Sequence, residues 1–331
     1  MADTYRAFVV EKAGDDVTAS LKERTLGDLP EGEVTIRVAW SDVNFKDGLA
    51  TLAKGGVVRR YPLVIGIDLA GTVTESRDSR FKEGDEVLVT GFDTGVAHDG
   101  GYAELARVPA DWVVKRPEGL TLREAMALGT AGFTAALAIR RLEENGLKPD
   151  AGPVLVTGAT GGVGSVAVSM LANLGFEISA STGKADQADY LKTLGAKAVL
   201  SREEVSAAPK PLGAATWAGA VDQVGGSTLA WVLSTMAYRG AVACTGLTGG
   251  FKYESTVLPL ILRGVSVLGI DSVMCPMTER PALWARMAGE LKPKHLADDI
   301  AQEVGLDDLP AVLGDILKGK VRGRTVVRIG G

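Results

Sequence analysis

The chain has 331 residues, a net charge of −5, 46% hydrophobic residues and 23% charged ones. That length accommodates two domains and a large core, and those proportions are ordinary for a globular protein. The acidic balance argues against a nucleic-acid partner, and no run reaches the roughly 18 apolar residues of a membrane-spanning helix, so a small-molecule substrate is expected.

The opening residues, MADTYRAFVVEKAGDD, lack a basic stretch followed by an apolar one, so no secretory signal is expected and the expected location is the cytoplasm. The first third reads as β-rich. YRAFVVEKA, EVTIRVAWSDV, LAGTVTES, DEVLVTG and YAELARV are short runs with period-2 character. Turn signals separate them, at Leu29-Pro30-Glu31-Gly32, Glu83-Gly84-Asp85 and Asp99-Gly100-Gly101. LTLREAMALGTAGFTAALAIRRLEENG then places apolar residues at helical spacing, with Asn145-Gly146 as its stop.

From Pro153 to about Asp271 strands and helices alternate. PVLVTG, FEISASTG, AKAVLS, AGAVDQVGG, GAVACTGL and VSVLGIDSV read as strands, with helices in GGVGSVAVSMLANLG and DQADYLKTLG. Buried apolar strands alternating with helices predict a parallel, doubly wound α/β sheet. Two helical patterns, PALWARMAGEL and LDDLPAVLGDILKG, and a strand, RTVVRIG, complete the chain.

Zinc is not expected. Cys244 and Cys275 are the only cysteines and His98 and His295 the only histidines, whereas catalytic zinc takes three protein ligands, often Cys and His. Both cysteines are expected to be reduced thiols, Cys244 as a small buried hydrophobe.

PVLVTG leads directly into Gly158-Ala159-Thr160-Gly161-Gly162-Val163-Gly164, and a helix follows. In that strand–turn–helix setting, glycines let the backbone approach a pyrophosphate and the helix start presents free N–H groups to it. The match to G-x-G-x-x-G is imperfect, because Ala159 occupies the first glycine position; the alternative is a tight turn without a ligand. NAD readers place an acidic residue about 20 positions after the motif. Here the second strand ends Ser181-Thr182-Gly183-Lys184, and Arg202 follows the third. Hydroxyls and two cations suit a 2′-phosphate, so the expected cofactor is NADPH; otherwise Lys184 and Arg202 are solvated surface charges. Asp222 is read as a strand-terminal cap.

The turn also fits short-chain dehydrogenases, which need Tyr-x-x-x-Lys. No tyrosine of this chain has lysine four residues later, and the turn lies mid-chain rather than near the start. Instead the segments VNFKD (43–47), YPLVIGIDLAG (61–71), GTAGFTA (129–135), TGATGGVG (157–164), GIDSVM (269–274) and GRTVV (323–327) together resemble the zinc-independent branch of the medium-chain dehydrogenase/reductase superfamily, within it the acryloyl-CoA reductase group. The resemblance spans essentially the whole chain. It implies a GroES-like β-rich catalytic domain from residues 1–126 and 273–331, around a Rossmann NADPH-binding domain at 127–272. It implies reduction of the acryloyl-CoA double bond to propanoyl-CoA, and a homodimer joined through the Rossmann sheet edge, here VSVLGIDSV.

The reaction needs a hydride at the β-carbon of the enoyl thioester, donors near the thioester oxygen and a proton at the α-carbon. The superfamily places residues 44–47 toward the nicotinamide. Asn44 and Lys46 are therefore the catalytic candidates, with Asp47 pairing or solvation as the alternative for Lys46, while Asp47 and Asp68 are expected to brace loops. Cofactor contacts are expected from Phe45, Thr130, Thr134, Thr160, Gly161, Gly162, Val163, Ser181, Thr182, Lys184, Arg202, Gly246, Leu247 and Ser272. The CoA phosphates call for cations, and Arg322 and above all Arg324 are the candidates, ahead of Arg59 and Arg60. Two other readings stay open: a quinone or enone reductase on the same fold, and an NADPH-binding protein without turnover.

Overall fold

The computed structural model describes residues 4–208 and 210–330. The chain divides into two compact units, one of Met1–Thr130, Val273–Ala288 and Ala301–Gly331, the other of Ala131–Ser272 and Gly289–Ile300. Among the described residues no helix is long and apolar enough to cross a membrane.

In the first unit β1 (Thr4–Ala13) and β2 (Asp16–Thr25) form an antiparallel hairpin, turned at Gly14 with φ of 60°. Sequence reading missed β2. DVTASLKERT alternates, but its inward positions are only Val17, Ala19 and Leu21, and they remain half-buried. Next in the chain, β3 (Val34–Asp42) leads into the short helix α1 (Phe45–Ala50), and β4 (Leu63–Val64) pairs with β1. A seven-stranded sheet forms around β3. It continues through β5 (Asp68–Ser76), β6 (Glu86–Thr90) and β8 (Val113–Lys115), while β7 (Leu105–Val108) also pairs with β3. On the other flank lie the strands Arg324–Arg328 and Ala301–Gly305. The last, AQEVG, has too little β-branched character to be legible alone and exists as the partner of Arg324–Arg328. The inward positions of the sheet, Val34, Ile36, Val38, Leu69, Val73, Val87, Val89 and Val327, form one buried cluster. Alternation thus puts one face of each strand in the core.

Helix α2 (Leu122–Glu144) was expected to be continuous. It breaks at Gly129, where φ is 51° and ψ −155°. A Cβ there would lie 1.8 Å from Asp42 Oδ2, so only glycine lets the chain pass this carboxylate.

The second unit is a six-stranded parallel sheet. Its strands are β9 (Val154–Val156), β10 (Ile178–Thr182), β11 (Ala198–Ser201), β12 (Trp217–Asp222), β13 (Met236–Cys244) and β14 (Ser266–Gly269). The order is β11-β10-β9-β12-β13-β14, the doubly wound order 3-2-1-4-5-6. The edge strand β14 ends at Gly269, shorter than VSVLGIDSV suggested. Helix α3 (Gly162–Asn173) follows β9, and α4 (Gly226–Thr235) follows β12. Leu155, Ala220 and Val242 of the sheet pack with Leu229, Val232 and Leu233 of α4. Successive strands are added to one side of β9 as far as β11 and to the other side from β12 on, so the boundary between β9 and β12 is the switch point at which doubly wound sheets hold ligands.

Candidate active site

In the second unit, β9 ends at Val156, Thr157 follows, and the chain turns sharply at Gly158, φ 55°, before α3 begins with Gly161 as its N-cap. A Cβ on Gly164 would lie 2.5 Å from the Gly158 carbonyl oxygen and 2.6 Å from the Ala159 Cα, so this glycine sets how closely α3 abuts the turn. Ala159 is fully buried and its N–H donates to Ser181 O at 2.9 Å. Its methyl group therefore faces protein, which explains why alanine is tolerated at the first glycine position. Thr160, Gly161, Gly162 and Val163 form the turn and the first residues of α3, where N–H groups lack intrahelical acceptors.

The ends of β10 and β11 come together beside that turn. Thr182 Oγ1 lies 3.1 Å from Thr160 Oγ1 and accepts from Lys184 N at 3.0 Å, and Ser181 is buried next to it. A Cβ on Gly183 would lie 2.4 Å from an Arg202 terminal nitrogen and 2.6 Å from its Cζ. The exposed Arg202 guanidinium is thus laid flat over Gly183. Sequence placed these residues at separate strand ends; the fold makes them one cluster of hydroxyls and cations without a carboxylate among the four. That donor set fits a 2′-phosphate.

Across the switch point, Asp222 is fully buried and works as the expected cap. It accepts from Thr157 Oγ1 at 2.5 Å, Gly225 N at 2.9 Å and Val224 N at 3.3 Å, while burial raises its carboxyl above the usual range. The loop of Gly246 and Leu247 packs on the same segment: Thr245 N donates to Asp222 O at 2.8 Å, and a Cβ on Gly246 would lie 2.6 Å from Gln223 O. Leu247 is exposed. Thr134 Oγ1 donates to Ser272 Oγ at 2.7 Å, joining two expected cofactor residues. Burial pushes the Cys244 thiol up, away from nucleophilic use.

The first unit holds a buried polar network at the end of β3. Asn44 is its hub. Its side-chain Nδ2 donates to Asp42 Oδ1 at 2.6 Å and to Asp68 Oδ2 at 2.8 Å, and its backbone N donates to Asp47 Oδ2 at 2.7 Å. Asp47 Oδ1 also accepts from Ile67 N at 3.0 Å. Thr130 donates its N–H and hydroxyl to Asp68 at 2.7 and 2.5 Å. Tyr102 OH donates to Asp42 O at 2.9 Å. Burial, opposed by the two backbone N–H donors, carries the Asp47 carboxyl up to about 7, and burial raises Tyr102 well above its usual range. Asp42 is raised as well, by burial and then by Asp68, with Arg324 pulling the other way.

Arg324 is where expectation fails. It is 2% exposed, its Nη2 lies 2.9 Å from Asp42 Oδ2, and it donates to Ala127 O, Val43 O and Asn44 Oδ1 at 3.1, 3.3 and 3.2 Å. A guanidinium so enclosed offers no face to a CoA phosphate; it braces the network. Arg322 is exposed. Lys46 is half-buried, and its side chain makes no ion pair among the described residues, so the Asp47 pairing does not form. Phe45 is 42% exposed. Sequence reading missed Asp42, whose only signal was a polar residue at the buried end of β3, and Tyr102 and Gln223, which lie outside the strands and carried none.

Residues 30–118 match the family described as alcohol dehydrogenase GroES-like domain, and residues 162–288 the family described as zinc-binding dehydrogenase. Among the described residues there is no group of three His, Cys, Asp or Glu that could hold a metal. The acrylyl-CoA reductase AcuI of Ruegeria pomeroyi is 52% identical over 98% of this chain and 99% of its own. The Bacillus subtilis protein YhfP, which carries a quinone oxidoreductase name, is 53% identical over 99% of this chain and 100% of its own. Its crystal structure with NAD bound superposes with a TM-score of 0.96 at 54% identity, covering 98% of this chain and 99% of that one. The Salmonella enterica oxidoreductase yhdH, in complex with NADP, gives a TM-score of 0.96 at 46% identity, covering 98% and 100%.

Proposed function

Because the chain belongs to the medium-chain dehydrogenase/reductase superfamily, in the group that contains the acrylyl-CoA reductases, we propose that it reduces the double bond of acryloyl-CoA to propanoyl-CoA with NADPH. The observation that carries the substrate is the 52% identity with AcuI over 98% of this chain and 99% of that one. The second unit is the NADPH-binding one. Its fit rests on the close approach at Gly164 and on the Ser181, Thr182, Lys184 and Arg202 cluster, with further contacts from Thr134, Thr160, Gly161, Gly162, Val163, Gly246, Leu247 and Ser272. Bound there, NADPH supplies the hydride.

The first unit is the catalytic one. Asn44, held by Asp42 and Asp68, has no freedom to turn and fixes the start of α1, so Phe45 and Lys46 project from a rigid support. Lys46, with no carboxylate partner among the described residues, places positive charge where the thioester oxygen gains negative charge. Phe45 contributes apolar surface that excludes water, and Thr130 is fixed through Asp68. The α-carbon proton comes from solvent, and exposed Arg322 offers a cation to the CoA phosphates.

The protein works in the cytoplasm as a homodimer. The β14 edge supports this reading: Tyr238, Ile261, Leu262 and Val267 leave apolar surface exposed on β13, the helix Leu258–Arg263 and β14. Light scattering of the purified protein should give twice the chain mass, and a monomer would remove this part.

The activity test is to mix the enzyme with NADPH and, separately, acryloyl-CoA, crotonyl-CoA and a benzoquinone, following nicotinamide absorbance. Oxidation with the acyl-CoA substrates is expected. Oxidation by the quinone alone would replace the reading with a quinone reductase, and none at all would indicate a binding protein.

A further inference from the structure

Gln223 follows the last residue of β12, at the switch point and next to the glycine turn. Its residue is only 8% exposed, yet neither side-chain Oε1 nor Nε2 has a hydrogen-bond partner among the described residues. The side chain is aimed at the turn: its Oε1 lies 3.6 Å from where a Cβ of Gly158 would stand. The backbone around it is fully engaged. Gln223 N donates to Thr157 Oγ1 at 3.3 Å, and its carbonyl accepts from Thr248 Oγ1 at 3.2 Å. The position is therefore set, while the carboxamide is held, desolvated and unpaired. A buried polar group is stable in that state only when something else completes it, and a leucine or methionine would serve packing better.

The chemistry of the missing partner follows from the amide. A carboxamide offers two N–H donors and one acceptor oxygen, so its complement must both accept and donate. Pyrophosphate oxygens only accept and would leave Oε1 unpaired. Ribose hydroxyls do both. Ser181, Thr182 and Arg202 lie on β10 and at the end of β11, on one side of β9, where the 2′-phosphate of the adenosine half is read. Gln223 directly follows β12, on the opposite side of β9. Resting on the NADPH reading of this unit, we infer that Gln223 is a cofactor-binding residue whose carboxamide hydrogen-bonds the hydroxyls of the nicotinamide-side ribose. Free protein carries an unsatisfied amide, and the dinucleotide satisfies it.

Replacing Gln223 removes an interaction that exists only with cofactor and a desolvation burden that exists without it. The two effects have opposite signs. The test uses the full-length protein, wild type and the variants Gln223→Leu and Gln223→Met. Each is titrated with NADPH and with adenosine 2′,5′-bisphosphate, which lacks the nicotinamide half, and each is melted without ligand. The variants should bind NADPH about tenfold more weakly, bind the bisphosphate within about twofold of wild type, and melt at the wild-type temperature or above. Unchanged NADPH affinity in both variants would overturn the inference. So would equal weakening of both ligands, or a lower melting temperature in both variants, because each would make the side chain structural. Wild-type protein that binds neither ligand would overturn the cofactor reading and this inference with it.

Discussion

Replacing Arg324 by methionine separates a bracing guanidinium from a phosphate-binding one. The substitution keeps most of the apolar stem and removes the charge. Three oxygens lose their donor, those of Ala127, Val43 and the Asn44 side chain, and Asp42 loses the cation paired with it. Removing one partner of a buried ion pair costs about 3–5 kcal/mol, because the other charge stays behind in a desolvated site. Asp42 can limit the penalty by taking a proton, since its carboxyl is already raised by burial and Arg324 is what lowers it. In the variant its folded pKa therefore rises further above the unfolded value. A carboxyl in that state is fully stabilising below its unfolded pKa and loses that stability as the pH climbs through the folded one. The destabilisation should be larger at pH 8 than at pH 5.5. Urea unfolding followed by circular dichroism at both pH values measures it. Adding Asp42→Asn should recover part of the loss, because it removes the stranded charge but keeps an acceptor for Asn44. The reasoning is refuted if Arg324→Met loses less than about 1 kcal/mol, if the loss is independent of pH, or if the main effect is a raised KM for acryloyl-CoA.

Arg202→Ala should raise KM for NADPH at least about tenfold and leave KM for NADH unchanged, because a charge-assisted bond to phosphate is worth about 1.5–3 kcal/mol; equal changes with both cofactors would contradict the 2′-phosphate site. Gly164→Ala pushes a methyl group to 2.5 Å from the Gly158 oxygen and must move α3 off the turn. It should abolish NADPH binding by fluorescence titration, and a variant binding within about twofold of wild type would show that the turn does not depend on close packing. Asp47 has its carboxyl carried up to about 7, so in wild type it withdraws stability as the pH rises from about 4 to 7, at most about 1.4 kcal/mol per unit. Asp47→Asn cannot ionise and should be most destabilised at low pH, with the gap to wild type narrowing toward pH 8. A gap that stays constant across unfolding curves at pH 5, 6, 7 and 8 would mean that Asp47 does not titrate in the folded protein.

The alternating apolar strands of residues 153–271 and the glycine turn after PVLVTG were legible without coordinates, because a parallel strand buried on both faces and a tight βα turn impose local composition. The lack of an acidic residue in the segment Ser181-Thr182-Gly183-Lys184 at the end of β10 was legible for the same reason, since it concerns residue types at a known spacing. Local pattern carried no trace of the strand Ala301–Gly305, which depends on its partner Arg324–Arg328, and no trace of the break at Gly129, which answers to Asp42 far away in the chain. Arg324 shows the limit most sharply. As a cation in a tail segment it looked available to a phosphate, and burial against Asp42 and Ala127 makes it a brace instead. Gln223 shows the converse, a residue with no motif whose meaning lies in being enclosed and unpaired. Periodicity and composition determine which elements form and which chemical groups are present; only the packed structure decides which of those groups are already satisfied by protein and which are left for a ligand.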